Sequence, residues 1–118
     1  MIGKNRRGKE FAPTMPSISD RLAQAQQEFN AVVSTIPFDE DAVDCAPTLH
    51  GLPNAFKDIV DIAGVPTTCG TNVDVGPAPT KNATVAQRLM DAGAIPVAKA
   101  NLQDFSYGIL GDASAMAA

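Results

Sequence analysis

The chain has 118 residues, 45% of them hydrophobic and 19% charged, the composition of one ordinary globular domain rather than a disordered, collagen-like or membrane-embedded chain. Thirteen acidic residues against nine basic ones give a formal charge of -4, which argues against a general nucleic-acid or anionic-membrane surface. One histidine, His50, and two separated cysteines, Cys45 and Cys69, are too few for a four-ligand structural zinc site. Cys45 and Cys69 are compatible with one disulfide. The opening residues do not resemble a secretory signal, so the plainer expectation is two thiols in a reducing, cytoplasmic setting.

Residues 1–16 carry Lys4, Arg6, Arg7 and Lys9 with little that is apolar, and are expected to form a flexible basic tail. From Ser17 to about Ile36 the spacing of Leu22, Ala25, Phe29, Val32, Val33 and Ile36 predicts a helix. Ser17 or Ser19 would cap its start and Pro37 would end it. Asp39, Glu40, Asp41 and Asp44 follow in a polar connection. They lack the central glycine and closing glutamate of a calcium loop and read as a solvated one.

Beyond Leu49 glycines and prolines punctuate short apolar segments. Leu52–Lys57 is expected to be extended, with Leu52, Asn54 and Phe56 on one side and Pro53, Ala55 and Lys57 on the other. Ile59, Val60, Ile62 and Val65 continue as a β-rich stretch, and residues 66–79 form a long connection. A second helix is predicted from Asn82 or Ala83 through Ala92, with Gly93 as its stop. Ala94–Ala98 reads as a short buried strand. Pro96 has no amide to donate, so this strand is expected to lie at an edge, begin at the proline or have an irregular ladder. A final helical turn is predicted within Leu102–Tyr107. This order of elements favours an α/β fold.

Three strings in this half carry a family resemblance: Leu49-His50-Gly51-Leu52-Pro53-Asn54-Ala55-Phe56-Lys57-Asp58, then Asp61-Ile62-Ala63-Gly64-Val65-Pro66-Thr67-Thr68-Cys69-Gly70-Thr71, then the run from Ala83 to Ile95. Together they resemble the N-terminal part of the amidase signature family. The segment Lys99-Ala100-Asn101-Leu102-Gln103-Asp104-Phe105-Ser106-Tyr107-Gly108 resembles that family's next strand-to-helix stretch. The resemblance implies an N-terminal portion of a mixed sheet covered by helices, with residues 17–118 as a partial amidase-like domain.

It also implies hydrolysis or transfer of carboxylic amides by a serine nucleophile, a bridging serine with a cis peptide bond, and a lysine, with no cofactor. The lysine falls at Lys57. A lysine accepts a proton when burial or neighbouring donors disfavour its ammonium form, and it would then draw the proton of the attacking hydroxyl through the bridging serine. Read from the local residues alone, a lysine beside Asp58 is ordinarily a surface ion-pair partner.

The sequence departs from the family in one important respect. No Gly-Gly-Ser-Ser-Gly-Gly-like run follows Lys57, and the two downstream serines, Ser106 and Ser114, lack a glycine-rich neighbourhood that would expose a nucleophile and supply oxyanion donors. The expectation is therefore an incomplete, inactive catalytic domain whose whole form would take a small-molecule amide. The alternative is a non-catalytic remnant or accessory protein that self-associates or binds a partner chain through an exposed face, with no nucleic-acid or membrane role.

The remaining motif residues have simpler readings. His50 is expected to be exposed or bonded to backbone. Cys69 sits at a variable position with no histidine close in sequence. Lys99 would brace the region or pair with Asp104. Phe56, Phe105 and Tyr107 are expected to pack rather than stack on substrate.

Overall fold

The computed structural model describes residues 16–44 and 48–109. Apart from Pro16, the expected basic tail lies outside these residues, as do Cys45 and Ser114.

The first helix, α1, covers Ile18–Phe29. Ser17 caps it, its Oγ accepting from the Asp20 amide at 3.0 Å. A carboxylate serves the same end. Glu40 Oε1 accepts from the Ser19 amide at 2.7 Å and the Ser19 hydroxyl at 2.6 Å, and its Oε2 accepts from the Ile18 amide at 3.3 Å. The acidic connection is therefore not simply solvated. Its residues Glu40–Ala42 form a short 3-10 turn, and Glu40 meets the positive end of α1.

The helix stops seven residues before the proline expected to end it. Asn30 adopts a left-handed conformation (φ 50°, ψ 40°) and closes α1, the kind of terminus that glycine or asparagine favours. The β-branched residues that seemed to continue the helical stripe instead form a strand, β1, over Val32–Thr35. The turn between them is fixed from both sides. Gln26 Oε1 accepts from the Val32 amide at 2.8 Å, while Asn101 donates from its side chain to the Asn30 carbonyl and from its backbone to the Ala31 carbonyl, each at 2.9 Å.

Two further strands, β2 (Pro53–Lys57) and β3 (Ile95–Ala100), complete a mixed sheet in the order β1-β3-β2. β1 runs antiparallel to β3, and β2 runs parallel to it. Pro96 thus lies in the central strand, and its missing donor is accommodated by an irregular ladder. Asn54 pairs with Pro96, but the next residue, Ala55, pairs with Ala98.

The connection from β2 to β3 carries the second helix, α2, over Thr84–Asp91. Its fully buried Ala86 meets Ile36, Phe56 and Ile62 in the core, with Val60, Val65, Ala83, Leu89 and Met90 packed around them. The stretch from Ile59 to Val65 is not a strand. It folds back at Gly64 (φ +76°), with the Val65 amide donating to Ile62 and a single bridge between those two residues. Val60, Ile62 and Val65 reach the core from a turn rather than from a ladder, while Ile59 is exposed.

After β3, Asp104–Ser106 forms a 3-10 turn in which Phe105 and Ser106 both have positive φ. Phe105 and Tyr107 do not pack: Phe105 is half exposed and Tyr107 almost fully so. Their turn leaves the sheet at the end of β3. Among the described residues no helix is long and apolar enough to cross a membrane.

Candidate active site

Strand alternation separates the two charged residues at the end of β2. Phe56 enters the core, Lys57 is exposed, and Asp58, two residues on from Phe56, is wholly buried. The side chain of Asp58 is held from three directions. Lys99 Nζ lies 2.9 Å from Asp58 Oδ1, an ion-pair contact without the alignment of a hydrogen bond. The Thr68 amide donates to Oδ2 at 3.1 Å, and the Thr68 hydroxyl donates to the same oxygen in a short hydrogen bond.

The backbone of Asp58 is equally fixed. Its amide donates to the Ala100 carbonyl, and its carbonyl accepts from the Cys69 amide, both at 3.0 Å. Lys57 is anchored through its main chain by its β3 neighbour Ala100 and by the Val60 amide, which donates to its carbonyl at 2.9 Å. Among the described residues its side chain has no hydrogen-bond or ion-pair partner.

Lys99 is itself fully buried, a rare state for lysine unless its charge is matched. β3 places it beside Phe56 on one side and Ser34 on the other. Besides Asp58, its ammonium donates to Thr67 Oγ1 at 3.2 Å, and that hydroxyl donates to Asp61 Oδ1 at 2.8 Å. The partner of Lys99 is thus Asp58, with Asp61 reached through a hydroxyl relay. The Thr67-Thr68 pair links both carboxylates to the strand end that bears Lys57.

The loop after these threonines is tied down at close range. Cys69 (φ 56°) and Gly70 (φ 72°) are consecutive left-handed residues, and the Cys69 carbonyl accepts from the Phe105 amide at 2.8 Å. Cys69 is a free thiol of intermediate exposure. Ser106, one of the two downstream serines, has a buried Oγ with no hydrogen-bond partner, so its hydroxyl is not presented to a substrate carbonyl. His50 is exposed and lies directly against Gly93, where a Cβ would stand 2.7 Å from Nδ1. A separate cleft, lined by Ser19, Leu22, Thr35, Ile36, Pro37 and Phe38, contains no titratable side chain.

Comparison with known proteins places the chain in a family. The Amidase family model matches residues 15–117, and the chain belongs to the amidase signature family. It is 34% identical over 103 residues to a glutamyl-tRNA(Gln) amidotransferase subunit of Rhodopirellula baltica, a match covering 87% of this chain and 21% of that protein. A solved structure described as an amidase superposes with a TM-score of 0.64 at 30% identity, covering 85% of this chain and 26% of the other. The corresponding glutamyl-tRNA(Gln) amidotransferase subunit of Thermotoga maritima gives a TM-score of 0.59 at 26% identity, covering 75% and 20% respectively. The chain therefore spans about a fifth of the length of the curated relative it matches. The mixed sheet with flanking helices is the expected α/β architecture.

The sequence pointed to Lys57, but not to the group around Asp58. Alternation along β2 puts Asp58 on the same side as Phe56, which is a signal for burial. Its pairing with Lys99 depends on the register of β2 against β3, across some forty intervening residues, and no local pattern encodes that.

Proposed function

We propose that these residues form the lysine-bearing part of an amide hydrolase of the amidase signature type, with Lys57 as general base. In the reaction the Lys57 amine takes a proton, relayed through a bridging serine, from the serine hydroxyl that attacks the amide carbonyl. The same lysine then returns the proton toward the leaving amine. The 118 residues contain no glycine- and serine-rich run, so the nucleophile and oxyanion donors of this mechanism belong to other sequence. The substrate class is a small carboxylic amide, the chemistry uses side chains alone, and the setting is cytoplasmic, where Cys69 remains a thiol.

The observation that carries this reading is the separation at the end of β2. Lys57 is exposed and unpaired, while the carboxylate beside it in sequence is engaged elsewhere.

The 118-residue chain alone is expected to show no turnover on a panel of simple amides and no labelling by a serine-directed fluorophosphonate, with wild type and Lys57→Ala indistinguishable. Stoichiometric labelling together with Lys57-dependent amide release would show that the chain carries its own nucleophile and would overturn this division of the machinery.

A second reading, an accessory protein that self-associates or docks on another chain, draws support from the outer edge of β2, which no described strand pairs, and from the exposed Tyr107 and Ile109. Light scattering separates the two, since a well-behaved monomer counts against association.

A further inference from the structure

The hydrogen-bonding sides of β2 are fixed at both of its ends. The Leu52 carbonyl accepts from the Ile95 amide at 2.8 Å and the Asp58 amide donates to the Ala100 carbonyl at 3.0 Å, so both residues turn their main-chain groups toward β3. The irregularity in the ladder skips Val97 of β3 and leaves β2 continuous. Alternation therefore turns Leu52, Asn54, Phe56 and Asp58 inward, and Pro53, Ala55 and Lys57 outward. Ala55 and Lys57 are exposed, and no described strand lies on that side. The outward groups form an uneven set. Pro53 has a carbonyl but no amide, and the Lys57 carbonyl already accepts from the Val60 amide at 2.9 Å. What the edge still offers is the amides of Ala55 and Lys57 and the carbonyls of Pro53 and Ala55.

We infer that this edge is a dimerisation surface whose occupant is the β2 edge of a second copy of the chain, antiparallel to the first and centred on Ala55. In that register the edge is its own complement. Ala55 faces Ala55 of the second copy and the two exchange both main-chain bonds, while at each end a Lys57 amide donates to a Pro53 carbonyl. The donor that Pro53 lacks would have met the Lys57 carbonyl, which Val60 already fills, so no group on either edge is left over. Neighbouring registers lose this match. Setting Ala55 against Pro53 leaves the Ala55 carbonyl without a donor, and setting Ala55 against Lys57 aims its amide at the filled carbonyl. The two Lys57 positions lie about 13 Å apart along the strands, beyond the screening length of about 8 Å at physiological salt, so the like charges do not oppose pairing. Proline and lysine keep sheet edges from pairing indiscriminately, and here they restrict pairing to one register. The inference rests on the association reading and not on Lys57 as a base.

The test uses the full 118-residue chain and needs no substrate. A short edge centred on alanine buries little area, so the mass by sedimentation is expected to rise from monomer toward dimer between about 10 μM and 1 mM. Ala55→Pro removes the central donor and puts a ring where the second strand approaches, while the bonds to β3 come from its neighbours and survive. This variant is expected to fold and to dimerise at least about tenfold more weakly. In wild type, hydrogen exchange at the Ala55 and Lys57 amides is expected to slow by about tenfold or more from dilute to concentrated samples, with the amide of exposed Lys81 unchanged. If Ala55→Pro fails to fold, the exchange measurement decides alone. A mass that stays monomeric throughout refutes association altogether. A dimer that persists in folded Ala55→Pro, or forms without slowing exchange at Ala55 and Lys57, overturns the assignment to this edge and leaves association standing. Full protection of both amides already in the dilute monomer would place residues of the same chain on the edge, and overturns it too.

Discussion

Lys99 Nζ and Asp58 Oδ1 meet at 2.9 Å with both side chains wholly withdrawn from solvent, joining the central strand β3 to the residue that follows the end of β2. Two charges in such a place are stable only as a pair. Removing one leaves the other buried without compensation, which costs about 3–5 kcal/mol. Lys99→Met is accordingly expected to lower unfolding free energy by that amount in urea titrations, and the neutral pair Asp58→Asn/Lys99→Met to recover more than half of it. A single variant losing less than about 1 kcal/mol would show that water reaches the site.

Thr68 supplies two of the donors to Asp58, through its amide and its hydroxyl. Thr68→Val preserves the shape and removes only the hydroxyl, so a hydrogen bond to a buried charge is lost, at about 1.5–3 kcal/mol. Thr68→Ser retains the donor and should lose clearly less. A loss in Thr68→Ser larger than in Thr68→Val, by thermal or chemical denaturation, would assign the effect to the methyl group instead.

Gly70 and Gly76 offer a matched comparison of backbone against space. Both have positive φ, but a Cβ at Gly70 would stand 2.6 Å from the Leu102 carbonyl oxygen, whereas at Gly76 it meets nothing within 4 Å. Gly76→Ala is expected to cost about 1 kcal/mol from its backbone conformation alone, and Gly70→Ala well over about 2 kcal/mol because the loop must also move off the segment after β3. The difference is readable from unfolding midpoints.

Phe56 is 5% exposed and lies in the core with Ile36, Ile62 and Ala86, while Tyr107 is 94% exposed. Phe56→Ala is expected to cost about 3–5 kcal/mol by leaving a cavity beneath α2. Tyr107→Ala should stay within about 0.5 kcal/mol, as for surface positions generally. A large loss at Tyr107 would indicate that its ring is covered in solution, and would favour association.

Much of the fold was legible in the sequence because local patterns there coincide with tertiary demands. α2 ends at Asp91 with the expected stop, Gly93 (φ +98°), just beyond it, the extended segment ending at Lys57 is β2, and Pro96 does disturb its ladder. Legibility failed where local and long-range preferences compete. Val32 and Val33 fit a helical stripe, but Asn30 can close a helix in a left-handed turn, and the β-branched run then gains an antiparallel ladder against β3, irregular between Val32 and Ser34. Ile59–Val65 has the composition of a strand but no described strand beside it, and Val60, Ile62 and Val65 enter the core from a turn. At the site, Lys57 was marked by the strings around it. Asp58 and Lys99 were not marked as partners, because a charged pair becomes recognisable only once the strands are in register.

The central claim, that Lys57 is the base of an amide-hydrolysing domain, is tested most directly by joining these 118 residues to the remaining part of an amidase relative and comparing amide turnover with Lys57 intact and as Lys57→Ala. Loss of the base is expected to lower kcat by about a thousandfold or more with KM little changed, since the proton relay acts on the reacting hydroxyl rather than on substrate binding. A joined domain that turns over amide equally well with alanine at this position would contradict the assignment.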